Sequence, residues 1–283
     1  MVYPENFGEN MSIDETSLIN GDFYTIITNK DKKGRKGCLA AIIKGTKAEL
    51  VSSILLDKVP IEILFKVKTV TLDLADTMYW ICRTCFRNAE IIADRFHVQQ
   101  VVSEGVQEIR IKLRRETIDK ENEKIVEAKK EGKTYQAKRF INGDSEKQLL
   151  ARSRCLLFKT SDKWTNSQKE RAEILFEKYP ELKKAYDLSI YFRGIFKNAK
   201  DPIDAKQKLE KWFEKISKSN LETLISAGNT IQNNFNKILN YFNQRLTNAS
   251  AESFNAKLKG FRTLLRGIKD PKFFLFRIEK LYA

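Results

Sequence analysis

Histidine is almost missing from this chain: His97 is the only one in 283 residues. Mechanisms built on two histidines are therefore excluded, and a Ser-His-Asp triad could use only His97. Cysteine is nearly as scarce. Cys38, Cys82, Cys85 and Cys155 include one C-x-x-C, with no second pair or nearby histidine to complete a zinc site. Cys82 and Cys85 stand one turn apart in the apolar segment TMYWICRTCF, so core packing is the reading of that pair. Five prolines and twelve glycines, beside 42% hydrophobic residues, indicate a folded, helix-rich chain rather than a disordered one. No apolar run reaches the ~20 residues of a membrane span. The opening MVYPENFGENMSIDE is acidic and has no signal-peptide core, so a cytoplasmic, nucleoid-associated protein is expected.

What the chain does have is positive charge. Its net charge is +15, an electrostatic footprint that suits nucleic acid, with anionic membranes and acidic proteins as weaker alternatives. Its length allows one elaborated domain or two.

The most informative stretch runs from Val67 to His97 and reads strand, helix, strand, with Asp73 and Asp94 closing the two strands. Ligands bind at the carboxyl ends of parallel strands in open α/β sheets. A carboxylate there needs a metal, a partner or water. Residues 11–45 read as a three-stranded antiparallel meander, broken at Asn20-Gly21 and over Asp31–Gly37, and its first strand carries Asp14 and Glu15. A helix over 47–56 and a short IEILF segment follow. Three meander strands and then a parallel β-α-β unit are the layout of a ribonuclease-H-like core, which sets the first strand beside the fourth and Asp14 near Asp73. Alternation directs either Asp14 or its neighbour Glu15 toward the site, and Asp76 competes with Asp73 as a first-turn helix acid.

After His97 the strand signals stop. Helical patterns cover 98–132, 144–158, 166–178, 180–198, 202–218 and 220–245, which makes an all-α insertion or separate helical domain. The domain expectation is 1–100 for the first part of the core, 101–246 for the insertion and 247–283 for C-terminal helices that complete the core. Trp164, amid KTSDKWTNSQ, reads as a core residue at a helix start rather than as a base-stacking platform.

In the last segment Thr247, Asn248 and Ser250 are candidate N-caps. Phe254, Leu258, Phe261 and Leu265 form an apolar helical stripe, while Glu252, Asn255, Lys259, Arg262 and Arg266 share a second face. Carboxylates at Asp14, Asp73 and Glu252 would suit a pair of hard divalent ions ~3.5–4 Å apart, as in two-metal phosphodiester chemistry.

IDETS, VTLDLADTMY, AEIIADRFHV and NASAESFNAKLKGFRTLLRG resemble the ISL-type DDE transposases of bacterial insertion sequences, over about residues 11–281. The most specific piece is Asp-Arg-Phe-His-Val at 94–98, an Asp-x-x-His motif. The resemblance implies an α/β fold: a ribonuclease-H-like (retroviral-integrase-like) core with a large all-α insertion before the final glutamate helix. It implies Asp14, Asp73 and Glu252 as catalytic metal ligands for two Mg²⁺ (or Mn²⁺) ions, with Asp94 and His97 as the accompanying motif. Asn255, Lys257, Lys259, Arg262 and Arg266 are the expected DNA contacts. The expected partners are transposon-end inverted repeats and target DNA, with a homodimer in the synaptic complex and no membrane. Relatives carry an N-terminal DNA-reading domain that has no counterpart before Asp14, so that module is expected on a separate polypeptide or lost by truncation. The alternatives are another ribonuclease-H-like nuclease, such as a junction resolvase, and a non-enzymatic basic helical DNA-binding protein.

Overall fold

β-Branched and other apolar residues bounded by turn chemistry set the opening of the chain. β1 (Asn10–Ile19), β2 (Asp22–Asn29) and β3 (Leu39–Lys44) form the antiparallel meander. The computed structural model of the protein describes residues 1–19, 21–246, 249–264 and 270–283, without the side chains at 19, 249, 250 and 252. After α1 (Ala48–Lys58) and α2 (Ile61–Phe65), the chain runs through β4 (Thr69–Leu72), α3 (Asp76–Cys85) and β5 (Glu90–Ala93). The sheet order is β3-β2-β1-β4-β5, with β4 parallel to both β1 and β5. The fold is thus mixed α/β around a five-stranded mixed sheet. The expected neighbourhood of first and fourth strands is present.

The strand periodicity separates two apolar layers. Met11, Ile13, Val70, Leu72 and Ile91 face one layer, packed with Val51 and Leu55 of α1 and with Met78, Ile81, Cys82 and Cys85 of α3. Burial pushes the Cys82 and Cys85 thiols upward, as befits core residues. Leu18, Tyr24, Ile26, Leu39 and Ile42 face the other layer. There they meet Phe254 and Leu258 of α11 (Ala249–Leu264) and Phe274 and Ile278 of α12 (Pro271–Tyr282). α12 starts where Asp270 caps and Pro271 presets the first turn.

Residues 1–98 and 234–283 form one compact unit, and 99–233 form a second. α4 (Arg95–Lys130) starts in the first and continues in the second. The second unit holds α5 (Glu146–Arg152), α6 (Asn166–Lys178), α7 (Pro180–Asn198), α8 (Pro202–Ser217) and α9 (Glu222–Asn233). Local signals set these boundaries: a Thr165/Gln168 capping box opens α6, Pro180 opens α7, and Asp201-Pro202 opens α8. The unit has its own aromatic core, where Phe192 and Trp212 stack with centroids 4.5 Å apart. Trp164 packs with Phe176 and Tyr186 and donates its indole N–H to the Leu156 carbonyl.

One helical run differs from expectation. The pattern over 220–245 is two helices, α9 and α10 (Phe235–Gln244), separated at Asn234, whose backbone (φ −107°, ψ 16°) leaves the helical region. α10 packs on β5. Asn240 donates to the Ile91 carbonyl at 2.9 Å, and Asn243 donates to the Glu90 carboxylate at 2.7 Å. At the two ends of β5 the Glu90 N–H donates to the Lys68 carbonyl and the Asp94 N–H to the Leu72 carbonyl, on the β4 side. Ile91 lies between them in register and directs its carbonyl to the sheet edge, so Asn240 satisfies a group that an edge strand leaves open.

Candidate active site

The strand registers alone predict a row of acids. Ser12 pairs with Thr71 across β1 and β4, so two residues further on Asp14 is level with Asp73. Leu72 pairs with Ala93 across β4 and β5, so one residue further on Asp73 is level with Asp94. Neighbouring strands lie ~4.8 Å apart, and registered residues of parallel strands share a face. Met11 and Ile13 belong to the α1/α3 layer, so Asp14 faces the layer that carries α11. Three carboxylates, one midway along β1 and one just past the end of each of β4 and β5, therefore line up on one face.

Their electrostatics agree with that placement. Burial raises the Asp14 carboxyl above the usual range, and the charges of Asp73 and Asp94 push it further. Both Asp14 oxygens have a protein donor: Oδ1 accepts from the Glu15 N–H at 2.8 Å, and Oδ2 accepts from Asn255 Nδ2 at 2.5 Å. Asp73 Oδ1 accepts from the Ala75 N–H at 2.8 Å, which fixes the turn into α3. Asp94 is buried, and its Oδ2 lies 3.2 Å from His97 Nδ1, one helical turn on. That hydrogen bond holds the His97 pKa above its ordinary value against the opposing effect of burial, and Asp94, Asp73 and Asp14 all favour its protonated form. The Asp-x-x-His motif is thus a hydrogen-bonded pair at the start of α4 that favours the protonated imidazole.

The competing acids sit elsewhere. Glu15 faces the start of α3, where Thr77 donates to it at 3.4 Å, and burial followed by the Asp73 charge raises its pKa. Asp76 is exposed in the first turn of α3.

α11 supplies the remaining sequence candidates. Asn255, expected to face phosphates, is buried with its amide on Asp14. Lys257, Lys259 and Arg262 are exposed on the same helix. Glu252 falls within α11, but its side chain lies outside the described residues, as do Leu265 and Arg266 altogether. Of the cap candidates, Thr247, Asn248 and the Ser250 side chain also lie outside them.

Lys30 escaped the sequence reading. Its ammonium donates to Thr71 Oγ1 at 2.6 Å, and burial lowers its pKa to about 8 although Asp94 and Asp31 pull the other way. The signal was available. Ser12 and Asp14 on β1, Thr28 and then Lys30 after β2, and Thr71 and Asp73 on β4 repeat a polar residue at every second position. A polar face inside an otherwise apolar sheet marks a site.

Among the described residues no three His, Cys, Asp or Glu side chains form a ready metal cage. The donor chemistry nevertheless fits a hard divalent ion: the acid row offers oxygen ligands, and burial first, then the charges of Asp73 and Asp94, raises the Asp14 carboxyl. Each Asp14 oxygen keeps a second lone pair free of its protein donor.

A family model of ISL3-type DDE proteins, described as a transposase, matches residues 11–278. The comparison with curated proteins gives no match.

Proposed function

The chain belongs to the ISL3-type DDE transposase family, and we propose that it cleaves DNA at transposon ends and joins the exposed 3′-hydroxyls to target DNA. The observation that carries this reading is the acid row across β1, β4 and β5, with α11 tied to its first member by Asn255. The sheet order, with β1 between β2 and β4, supports a ribonuclease-H-like core interrupted by the helical unit 99–233.

In this reading Asp14 and Asp73 are metal ligands and Glu252, on α11, is the third. Two Mg²⁺ or Mn²⁺ ions, when bound, supply charge stabilisation at the scissile phosphate and lower the pKa of the attacking hydroxyl. The chain's own groups do the rest. The Glu15 N–H and Asn255 amide fix the rotation of the Asp14 carboxylate, so its orientation is set before substrate arrives. His97, whose protonated form Asp94 favours, offsets part of the acid row's negative charge when it carries its proton. Lys257, Lys259, Arg262 and Arg266 hold the DNA backbone. Joining two transposon ends calls for a homodimer.

Asp73→Asn and Glu252→Gln are expected to abolish Mg²⁺-dependent cleavage and strand transfer on the DNA that flanks the reading frame, with DNA binding retained. Full activity in either variant would sink the assignment. Cleavage without joining would assign a resolvase-type nuclease instead.

A further inference from the structure

The loop between β2 and β3 reads KDKKGRKG over residues 30–37, five cations and one acid in eight positions. Lys32, Lys33, Arg35 and Lys36 are exposed, and none of them enters an ion pair among the described residues. The lone acid, Asp31, accepts from the Asn10 side chain. Crowded like charges repel one another, and in a merely solvated loop flexibility would let them spread apart.

This loop is instead built rigidly. Lys33 N–H donates to the Lys30 carbonyl at 3.0 Å, Arg35 N–H to Lys32 at 3.0 Å, and Cys38 N–H to Arg35 at 3.0 Å. Asn29 accepts from the Asp31 N–H, and its own N–H donates to the Cys38 carbonyl at 2.8 Å to close the base. Lys33 is held left-handed at φ 49°, beside Gly34 at φ 71° and Gly37 at φ 80°. A lysine gains nothing locally from that conformation, and such outliers gather where a fixed presentation matters. Gly37 N–H also donates to the Tyr282 carbonyl at 2.9 Å, which ties the loop to α12.

The loop borders the acid row on two sides. Its first residue, Lys30, reaches Thr71, two positions before Asp73. Its tip meets α11, where the Lys257 ammonium lies 3.5 Å from the Gly34 carbonyl, two residues after the Asn255 that binds Asp14.

We infer that the β2–β3 loop is a DNA-backbone clamp: Lys32, Lys33, Arg35 and Lys36, continued by Lys257 of α11, form one preorganised phosphate-binding surface that leads into the acid row. It rests on the transposase reading for the identity of the polyanion. Duplex DNA is favoured over an acidic protein or a lipid surface because the clamp adjoins acids that can act on a phosphodiester, and no large apolar side chain interrupts it for insertion into lipid.

The test is DNA binding by the full chain, measured by fluorescence anisotropy on a duplex of arbitrary sequence, without divalent metal and over a range of salt. The variant Lys32→Ser/Lys33→Asn/Arg35→Ser/Lys36→Ser keeps turn-compatible residues. It is expected to flatten the slope of log affinity against log salt by about 3–4, at ~0.9 for each phosphate that is no longer neutralised. A charge-matched control, Lys120→Ser/Lys124→Ser/Lys129→Ser/Lys130→Ser on exposed α4, should leave the slope near wild type. Unchanged slope in the loop variant, or equal flattening in both, overturns the clamp, as does loss of binding to phosphatidylserine vesicles with DNA binding intact. Thermal melting checks that the loop variant is folded, and Lys32→Glu and Lys36→Glu singly give the same reading if it is not. Because no metal is present, the outcome is independent of cleavage. Absence of cleavage and strand transfer in the wild-type chain, with the salt response intact, would remove the transposase reading and leave the clamp standing.

Discussion

His97 is the clearest residue-scale reporter, because it is alone. Its raised pKa means that the folded state holds the proton more tightly than the unfolded state, where the value is near 6.5. The sign follows directly: the pair's stabilisation is complete below pH 6.5 and is lost as pH rises through the native value. A single imidazole resonance in an NMR titration should report a midpoint above 6.5 in the wild type, and Asp94→Asn should lower it. The thermal-stability advantage of wild type over His97→Gln should shrink as pH rises across that window. A midpoint at or below 6.5 would deny the hydrogen-bonded pair. Asp73 and Asp94 were legible at this scale, since each closes a β-branched run, and Asp14 through its place on the first meander strand. His97 was legible as the companion of Asp94 from the Asp-x-x-His spacing, but the partner of Asp14 was not. Asn255 stands on the α11 face shared with cations, and only tertiary packing turns its amide onto Asp14.

At the scale of elements, α11 depends on its apolar stripe. Leu258 is fully buried among Leu18, Ile26 and Leu39. Leu258→Ala is expected to cost about 2–5 kcal/mol in chemical denaturation, through lost transfer energy and the cavity left behind. It should depress strand transfer further than stability predicts, because the same helix carries Asn255 and Glu252. A loss under ~1 kcal/mol would mean that the helix repacks freely. Elements with strong punctuation were read almost to the residue: α6 and α7 begin at the cap and proline that the sequence displays. The break at Asn234 was not read, because asparagine is tolerated inside helices and no glycine or proline marks the spot. What decides it is the packing of α10 on β5, which belongs to the fold and not to local propensity.

On the whole-molecule scale, the chain divides into two compact units, and the second has an aromatic core of its own. Residues 99–233 enclose Phe192, Phe196, Leu209 and Trp212 without using any strand. Expressed alone, that segment should give a helical circular dichroism spectrum and one cooperative melting transition; a broad, non-cooperative melt would show that its core needs the remainder of the chain. The mixed sheet and its order followed from the sequence because parallel and antiparallel strands carry different hydrophobic patterns. The clamp loop did not. Its charges were visible in the sequence, but the left-handed backbone and the proximity of α11 that give them meaning are properties of the assembled sheet.

The bond between Asn255 and Asp14 spans 241 residues of chain. On the ribosome, β1, β2 and β3 emerge early with one apolar face bare, and the side chains that cover it, Phe254, Leu258, Phe274 and Ile278, arrive only at the end. For most of its synthesis the protein is therefore a sheet with acids in place and no helix to set them. Under the transposase reading proposed above, catalytic competence then appears late and all at once, and a nascent chain stalled before α11 is expected to be inert toward DNA.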